Sequence, residues 1–276
     1  MNTNLRFDKG TILLEGLEES FISKIDYFSW DERVLAYRAP AFKYREIVMS
    51  LRENNINFED YARKFSVESC FLKKKISPRN FQTEAIKEWI KEKMGVVSLP
   101  TGSGKTILSI ILIKKIGRPT LVHVPTIDLM RQWKNVLTQY FDVPIGLLGG
   151  GINEIQTITV ATYDSALIHV ENKGNLFGFL VFDECHHLPS EQYKYAAISS
   201  IAPFRLGLSA TPERSDGKES SLYEFCGPLR YEKHIDQLSG DTLAPYEVKT
   251  IEVEMRPADR EKYENARGNY IDFVRK

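Results

Sequence analysis

The chain has 276 residues, with 37 Lys and Arg against 37 Asp and Glu, so its formal net charge is zero. Bulk basicity is therefore excluded as a means of holding nucleic acid, and any polyanion must be met by local clusters. Three widely spaced cysteines, Cys70, Cys185 and Cys226, argue against a disulfide framework and a zinc site and point to a reducing interior. The start, Met1-Asn2-Thr3-Asn4-Leu5-Arg6, lacks an apolar signal core, and the most apolar run, 107–113, is too short to span a bilayer, so a cytoplasmic protein without membrane contact is expected.

Residues 1–75 read as a small α+β domain. Strands are expected at 11–14, 33–37 and 69–72, and a helix at 44–53. Aromatic and basic residues alternate from Tyr37 to Arg45, a pattern that suits base stacking but more commonly builds a small core with a charged rim. Lys73-Lys74-Lys75 marks a boundary.

From Ile76 short apolar runs alternate with helical stretches. Strands are expected at 95–99, 119–124, 156–161, 177–182 and 204–209, and helices at 82–93, 105–115, 127–140 and 190–199. Strands interleaved with helices imply parallel pairing and right-handed crossovers, hence an α/β fold with a doubly wound, mostly parallel sheet. Ligands of such sheets lie at the carboxyl ends of the strands.

Two motifs fall at such ends. Leu99-Pro100-Thr101-Gly102-Ser103-Gly104-Lys105-Thr106 links a strand to a helix, and Gly102 and Gly104 allow backbone N–H groups to converge on phosphate oxygens. Lys105 adds a cation for the outer phosphates, and the Thr106 hydroxyl suits magnesium. Asp183 and Glu184 follow the apolar strand Phe179-Leu180-Val181-Phe182; one acid suits magnesium and the other an attacking water. His186 reads as a coupling residue near the outer phosphate, and His187 as structural. Ser209-Ala210-Thr211 places two hydroxyls at the next strand end.

In order and spacing, Arg79-Asn80-Phe81-Gln82, the glycine loop, Val124-Pro125-Thr126, Ala161-Thr162-Tyr163-Asp164, Asp183-Glu184-Cys185-His186 and Ser209-Ala210-Thr211 resemble the first RecA-like lobe of a superfamily 2 helicase. Tyr37-Arg38-Ala39-Pro40-Ala41-Phe42, the extension His187-Leu188-Pro189 and Ile201-Ala202-Pro203-Phe204-Arg205-Leu206-Gly207-Leu208 narrow the resemblance to XPB-type DNA helicases of the archaeal form. The resemblance implies a damage-recognition-like domain over 1–75, a motor lobe over 76–240, and an exit strand at 246–254 with the start of a thumb-like helix at 257–275 within 241–276. It also implies ATP and magnesium as cofactors, with Arg79 and Gln82 at adenine and Thr101, Gly102, Ser103, Gly104, Lys105 and Thr106 at the phosphates. Asp183, Glu184 and His186 would serve metal, water and coupling; Thr126 and Thr162 would lie at the nucleic-acid backbone; Ser209, Thr211, Arg214 and Asp216 would couple ATP state to strand movement.

Single-stranded DNA and duplex junctions are the implied partners, together with a second motor lobe, absent here, and a nuclease. The implied setting is the interior of an archaeal cell, or the nucleus in a eukaryote. Where the family commonly carries Arg-Glu-Asp, this chain has Arg214-Ser215-Asp216, a change that bears on strand separation. Arginine fingers for hydrolysis come from the second lobe, so weak turnover by this chain alone is expected. The competing readings are a restriction-type translocase subunit and a nucleotide-binding interaction module without turnover.

Overall fold

A computed structural model of the chain describes residues 3–17, 19–22, 25–67, 72–210, 219–238, 251 and 253–274. Met1–Leu238 form one compact unit and Ser239–Lys276 a second. Thr211, Arg214, Ser215 and Asp216 lie outside the described residues, as do Cys70 and most of the strand expected at 246–254. The second unit contains the helix expected near the C-terminus, with Pro257 at its first position, where a missing N–H costs nothing.

The first unit opens with a five-stranded sheet of order β3-β4-β2-β1-β5, formed by β1 (Thr3–Asp8), β2 (Thr11–Glu15), β3 (Ser29–Asp31), β4 (Ala36–Pro40) and β5 (Phe58–Asp60). Lys9 and Gly10, at φ 44° and 78°, make the tight turn that sets Leu5 opposite Leu14. A short helix α1 (Glu19–Ile22) follows β2, and α2 (Tyr44–Glu53) buries Tyr44, Ile47, Val48 and Leu51 at helical spacing against Leu5, Ile12 and Leu14. The strand expected at 33–37 begins later, at Ala36, because Asp31 accepts the Arg33 N–H at 3.1 Å and Leu35 turns the chain at φ 50°. Arg38 is committed to Asp8 and Asp31, and Lys43 to Glu46, so the aromatic and basic alternation builds a core with an ionic rim.

The larger sheet has order β13-β6-β12-β11-β7-β10-β8-β9. Its strands are β6 (Met94–Ser98), β7 (Thr120–Val124), β8 (Ile145–Gly149), β9 (Ile152–Glu154), β10 (Ile158–Thr162), β11 (Phe179–Asp183), β12 (Phe204–Ser209) and β13 (Leu229–Glu232). All pairings are parallel except that of the edge strand β9 with β8. The helices α3 (Asn80–Glu92), α4 (Lys105–Ile116), α5 (Ile127–Tyr140), α6 (Tyr163–Lys173), α7 (Lys194–Ile198) and α8 (Glu219–Cys226) connect them. With helices covering both faces, β7, β8, β10 and β11 are buried along their whole length, and β7, β10 and β11 read as largely apolar runs for that reason. The helix expected at 190–199 shortens to α7 because Ser190 Oγ accepts the Tyr193 N–H at 3.1 Å and holds the preceding residues as turns. The remaining helix is α9 (Pro257–Val274), in the second unit.

The two sheets of the first unit are docked by short contacts. Asn175 donates through Nδ2 to the Ala62 carbonyl at 2.8 Å and accepts the Lys64 N–H at 3.0 Å. A Cβ on Gly10 would lie 2.6 Å from Ser199 Cβ, and Ile201 belongs to the small sheet's core. Arg205, 2% exposed, donates to the carbonyls of Ala197, Ser200, Ala202 and Phe225 at 2.8–3.1 Å and so ties α7 and α8 to the root of β12. Burial pulls its guanidinium down to about 10, still charged at neutral pH.

Two outcomes follow. Replacing Arg205 by Met orphans several buried carbonyls and is expected to cost about 3 kcal/mol or more in urea unfolding. His123, fully buried with Nδ1 3.3 Å from the Val181 carbonyl, is pushed down to about 3 by burial. Below its ordinary value near 6.5 the unfolded chain binds a proton that the folded chain refuses, so stability falls as pH drops from there toward 3. The loss reaches about 2 kcal/mol near pH 5. Urea midpoints of His123→Phe across this range should decline less steeply than those of the unsubstituted chain.

Candidate nucleotide site at the strand ends

Parallel pairing brings one row of strand ends to a single edge of the sheet. Across it stand, in order, the glycine loop after β6, Ser209 at the end of β12, Asp183 at the end of β11, Thr126 after β7, Thr162 at the end of β10 and Gly149 at the end of β8. Composition alone cannot set this order; the crossovers do.

The loop is shaped for an anion. Gly102 and Gly104 sit at φ 79° and 87°, where a side chain is disfavoured. A Cβ on Gly104 would also lie 2.7 Å from Gln82 Nε2. Gly104 begins α4 with no side-chain cap, and no acidic residue stands in the first turn, so the N–H groups there point at the loop without an intrahelical acceptor. Ser103 is fully buried and its Oγ has no hydrogen-bond partner. Lys105 Nζ donates to the Leu99 carbonyl at 3.1 Å, closing the loop on itself, and stands 3.9 Å from Glu184 Oε1. Uncapped donors, an orphaned hydroxyl and a lysine that, among the described residues, holds a carbonyl and a distant carboxylate suit phosphate groups.

Gln82, 3% exposed, braces the loop from behind. Its Nε2 donates to the Ser103 and Gly104 carbonyls at 3.0 and 3.2 Å, and its Oε1 accepts the N–H of the exposed Arg79 at 2.9 Å. Thr101 and Gly102 are exposed at the tip, and Thr106 is half-buried in the first turn of α4.

Asp183 is 8% exposed, and burial raises its carboxyl above the ordinary range. A hydrogen bond from Trp133 Nε1 to Oδ2 at 2.7 Å acts against that shift, and the Glu184 N–H donates to Oδ1 at 3.2 Å. Glu184 turns the chain out of β11 at φ 50° and ψ 52°, a left-handed conformation unfavourable for a non-glycine residue, into the single turn Cys185–His187. The turn buries Cys185, leaves His187 exposed and sets His186 Nδ1 3.5 Å from Glu184 Oε2 and 3.2 Å from Ser209 Oγ. Ser209 in turn accepts the Leu99 N–H on its carbonyl at 2.9 Å. Loop, acid pair, His186 and Ser209 thus form one connected set.

Thr126 and Thr162 cap α5 and α6, accepting N–H bonds from Leu129 and Ser165 at 3.2 and 3.3 Å. Thr126 is exposed and Thr162 is 6% exposed. Beside them runs a turn absent from the sequence reading, Gly149-Gly150-Gly151, all at positive φ; a Cβ on Gly149 would lie 3.2 Å from Thr162 Oγ1, and one on Gly150 3.5 Å from Ile127. Its only signal in the sequence is the run of three glycines, left unread above. Trp133 and Tyr163 were also missed, since a buried aromatic on a helix looks like core; the Tyr163 hydroxyl donates to the Asp183 carbonyl at 3.0 Å.

The described residues hold no cluster of three metal-ligating side chains and no helix long and apolar enough to cross a membrane. Residues 75–214 match the family described as "Type III restriction enzyme, res subunit", and residues 5–62 match the "Xeroderma pigmentosum group B helicase damage recognition domain". Over 270 residues the chain is 40% identical to "DNA 3'-5' translocase XPB2" of Sulfurisphaera tokodaii, covering 98% of this chain and 60% of that protein. Over 202 residues it is 32% identical to "DNA 3'-5' helicase XPB" of Mycobacterium tuberculosis, covering 68% of this chain and 36% of that one. The phosphate-shaped loop, the acid pair across β12 and these matches along both sheets lead to one assignment: the chain belongs to the XPB-type superfamily 2 helicases.

Proposed function

We propose that this chain forms the ATP-binding wall and one DNA-facing edge of an ATP-dependent DNA translocase of the XPB type that opens duplex during repair. The observation that carries the reading is the approach of Lys105 Nζ to Glu184 Oε1, 3.9 Å, across the strand that bears Ser209. It supports a site in which cation and acid flank an outer phosphate.

In this reading Lys105 exchanges the Leu99 carbonyl for phosphate oxygens, and the loop N–H groups and Thr106 complete the cradle. Bound magnesium would be held by Thr106 and Asp183 and would supply charge neutralisation at the phosphates. Glu184 orients the attacking water, and His186 carries the state of Glu184 to Ser209. Arg79, exposed at the head of α3, and Gln82 stand on the adenine side. Thr126, Thr162 and the glycine turn form a backbone-tracking edge, with Thr211, Arg214 and Asp216 extending the coupling set. The match of residues 5–62 to a damage recognition domain favours a repair translocase over a restriction subunit, because the latter reading gives that region no role. Residues 1–75 are accordingly proposed as the lesion-sensing part and 76–240 as the motor lobe.

Lys105→Ala should weaken binding of a fluorescent magnesium ATP analogue tenfold or more, a loss of ~1.4 kcal/mol, measured by anisotropy on the 276-residue chain. Unchanged affinity would remove the basis for an ATP site. The chain should also bind lesion-bearing duplex more tightly than intact duplex of the same sequence in a competition assay; equal affinities would defeat the repair assignment while leaving the motor intact.

A further inference from the structure

We infer that Trp133 and Tyr163 are positioning residues through which the DNA-facing edge acts on Asp183: each sits on a helix capped by an edge threonine, and each bonds that one acid. The inference rests on the reading of the strand ends as an ATP and DNA site, and it adds the physical link between the two halves.

Thr126 caps α5, and Trp133, 2% exposed two turns further along, donates its indole N–H to Asp183 Oδ2 at 2.7 Å. Thr162 caps α6, and the next residue, Tyr163, 1% exposed, donates its hydroxyl to the Asp183 carbonyl at 3.0 Å. One helix therefore grips the carboxylate and the other the main chain of the same residue. Side chain and backbone of Asp183 cannot both stay in place if either helix shifts along its axis, because a hydrogen bond weakens steeply with misalignment. Burial makes the grip consequential, since a desolvated carboxylate has no water to substitute for the lost donor. Met130, one turn before Trp133, fixes α5 further: a Cβ on Gly149 would lie 3.1 Å from its sulfur.

The other two tryptophans supply internal controls. Trp89 is fully buried, but its indole donates to the main-chain carbonyls of Gly95 and Arg205, both at 3.2 Å. Trp30 is 51% exposed. Among the described contacts of the three tryptophans, Trp133 alone has a carboxylate as its indole acceptor.

The test reads the indole N–H resonances of the ¹⁵N-labelled chain, assigned by single substitution. A single-stranded oligonucleotide added without nucleotide should move the Trp133 resonance and leave that of Trp89 in place, and a magnesium ATP analogue added without DNA should do the same. In fluorescence titrations the oligonucleotide should tighten analogue binding about fivefold or more. Trp133→Phe and Tyr163→Phe, which keep the rings and remove the donors, should each bring that ratio below about twofold. A Trp133 resonance that stays put while both ligands demonstrably bind, or variants that keep the ratio, overturns the inference and leaves the ATP and DNA reading standing. Failure of the analogue or of DNA to bind overturns that reading and this inference with it.

Discussion

A parallel sheet covered on both faces has nowhere to put polar chemistry except the ends of its strands. In this chain the constraint is severe: β7, β8, β10 and β11 are buried from end to end, and the backbone groups along them are spent on one another. Every described side chain proposed here for phosphate, metal, water or nucleic acid in the larger sheet therefore lies on or just beyond one edge. The order of strands decides which of them are neighbours. Because β12 runs between β6 and β11, Ser209 meets both the loop through Leu99 and the acid pair through His186.

The same constraint governs what could be read from the residues. The five strands expected in the larger sheet all form, because double-sided burial keeps them largely apolar, with Arg205 and His123 as buried polar exceptions: 95–99 became Met94–Ser98 and 204–209 was met as Phe204–Ser209. Strands exposed to water, or rich in glycine, carry no such signature. β1 mixes Asn4 and Arg6 with Leu5 and Phe7, β8 ends in Gly149 ahead of two more glycines, and β13 is half-buried throughout, so none was visible. At the site, the loop and the acids were legible because their chemistry demands particular residue types. Trp133 and Tyr163 were not, because their function lies in one polar atom on an apolar body, and only the fold says where that atom points.

One left-handed non-glycine residue, Glu184, stands where the chain leaves β11. Asp183 is held by three donors, from Trp133, Tyr163 and the following N–H, and Glu184 then adopts a conformation that side chains avoid. A fixed residue followed by a strained one defines the exit direction of the turn carrying His186. In this way the position of one carboxylate is set by helices outside the phosphate loop, while the loop is braced from the opposite side by Gln82. The two halves of the candidate site thus have separate supports and, among the described residues, meet through Lys105, His186 and Ser209.

The docking of the small sheet carries a mechanical meaning of its own. Asn175, two residues beyond the end of α6, takes hold of residues 62 and 64, and Phe65 packs where a Cβ on Gly178 would lie 3.0 Å from its ring, just ahead of β11. The small sheet is thereby geared to the same helix that begins at Thr162 and to the same strand that ends at Asp183. Whatever that sheet touches is carried along at a set offset from the strand ends, as a stylus is carried by its arm, and a snag at the stylus is a load on the arm.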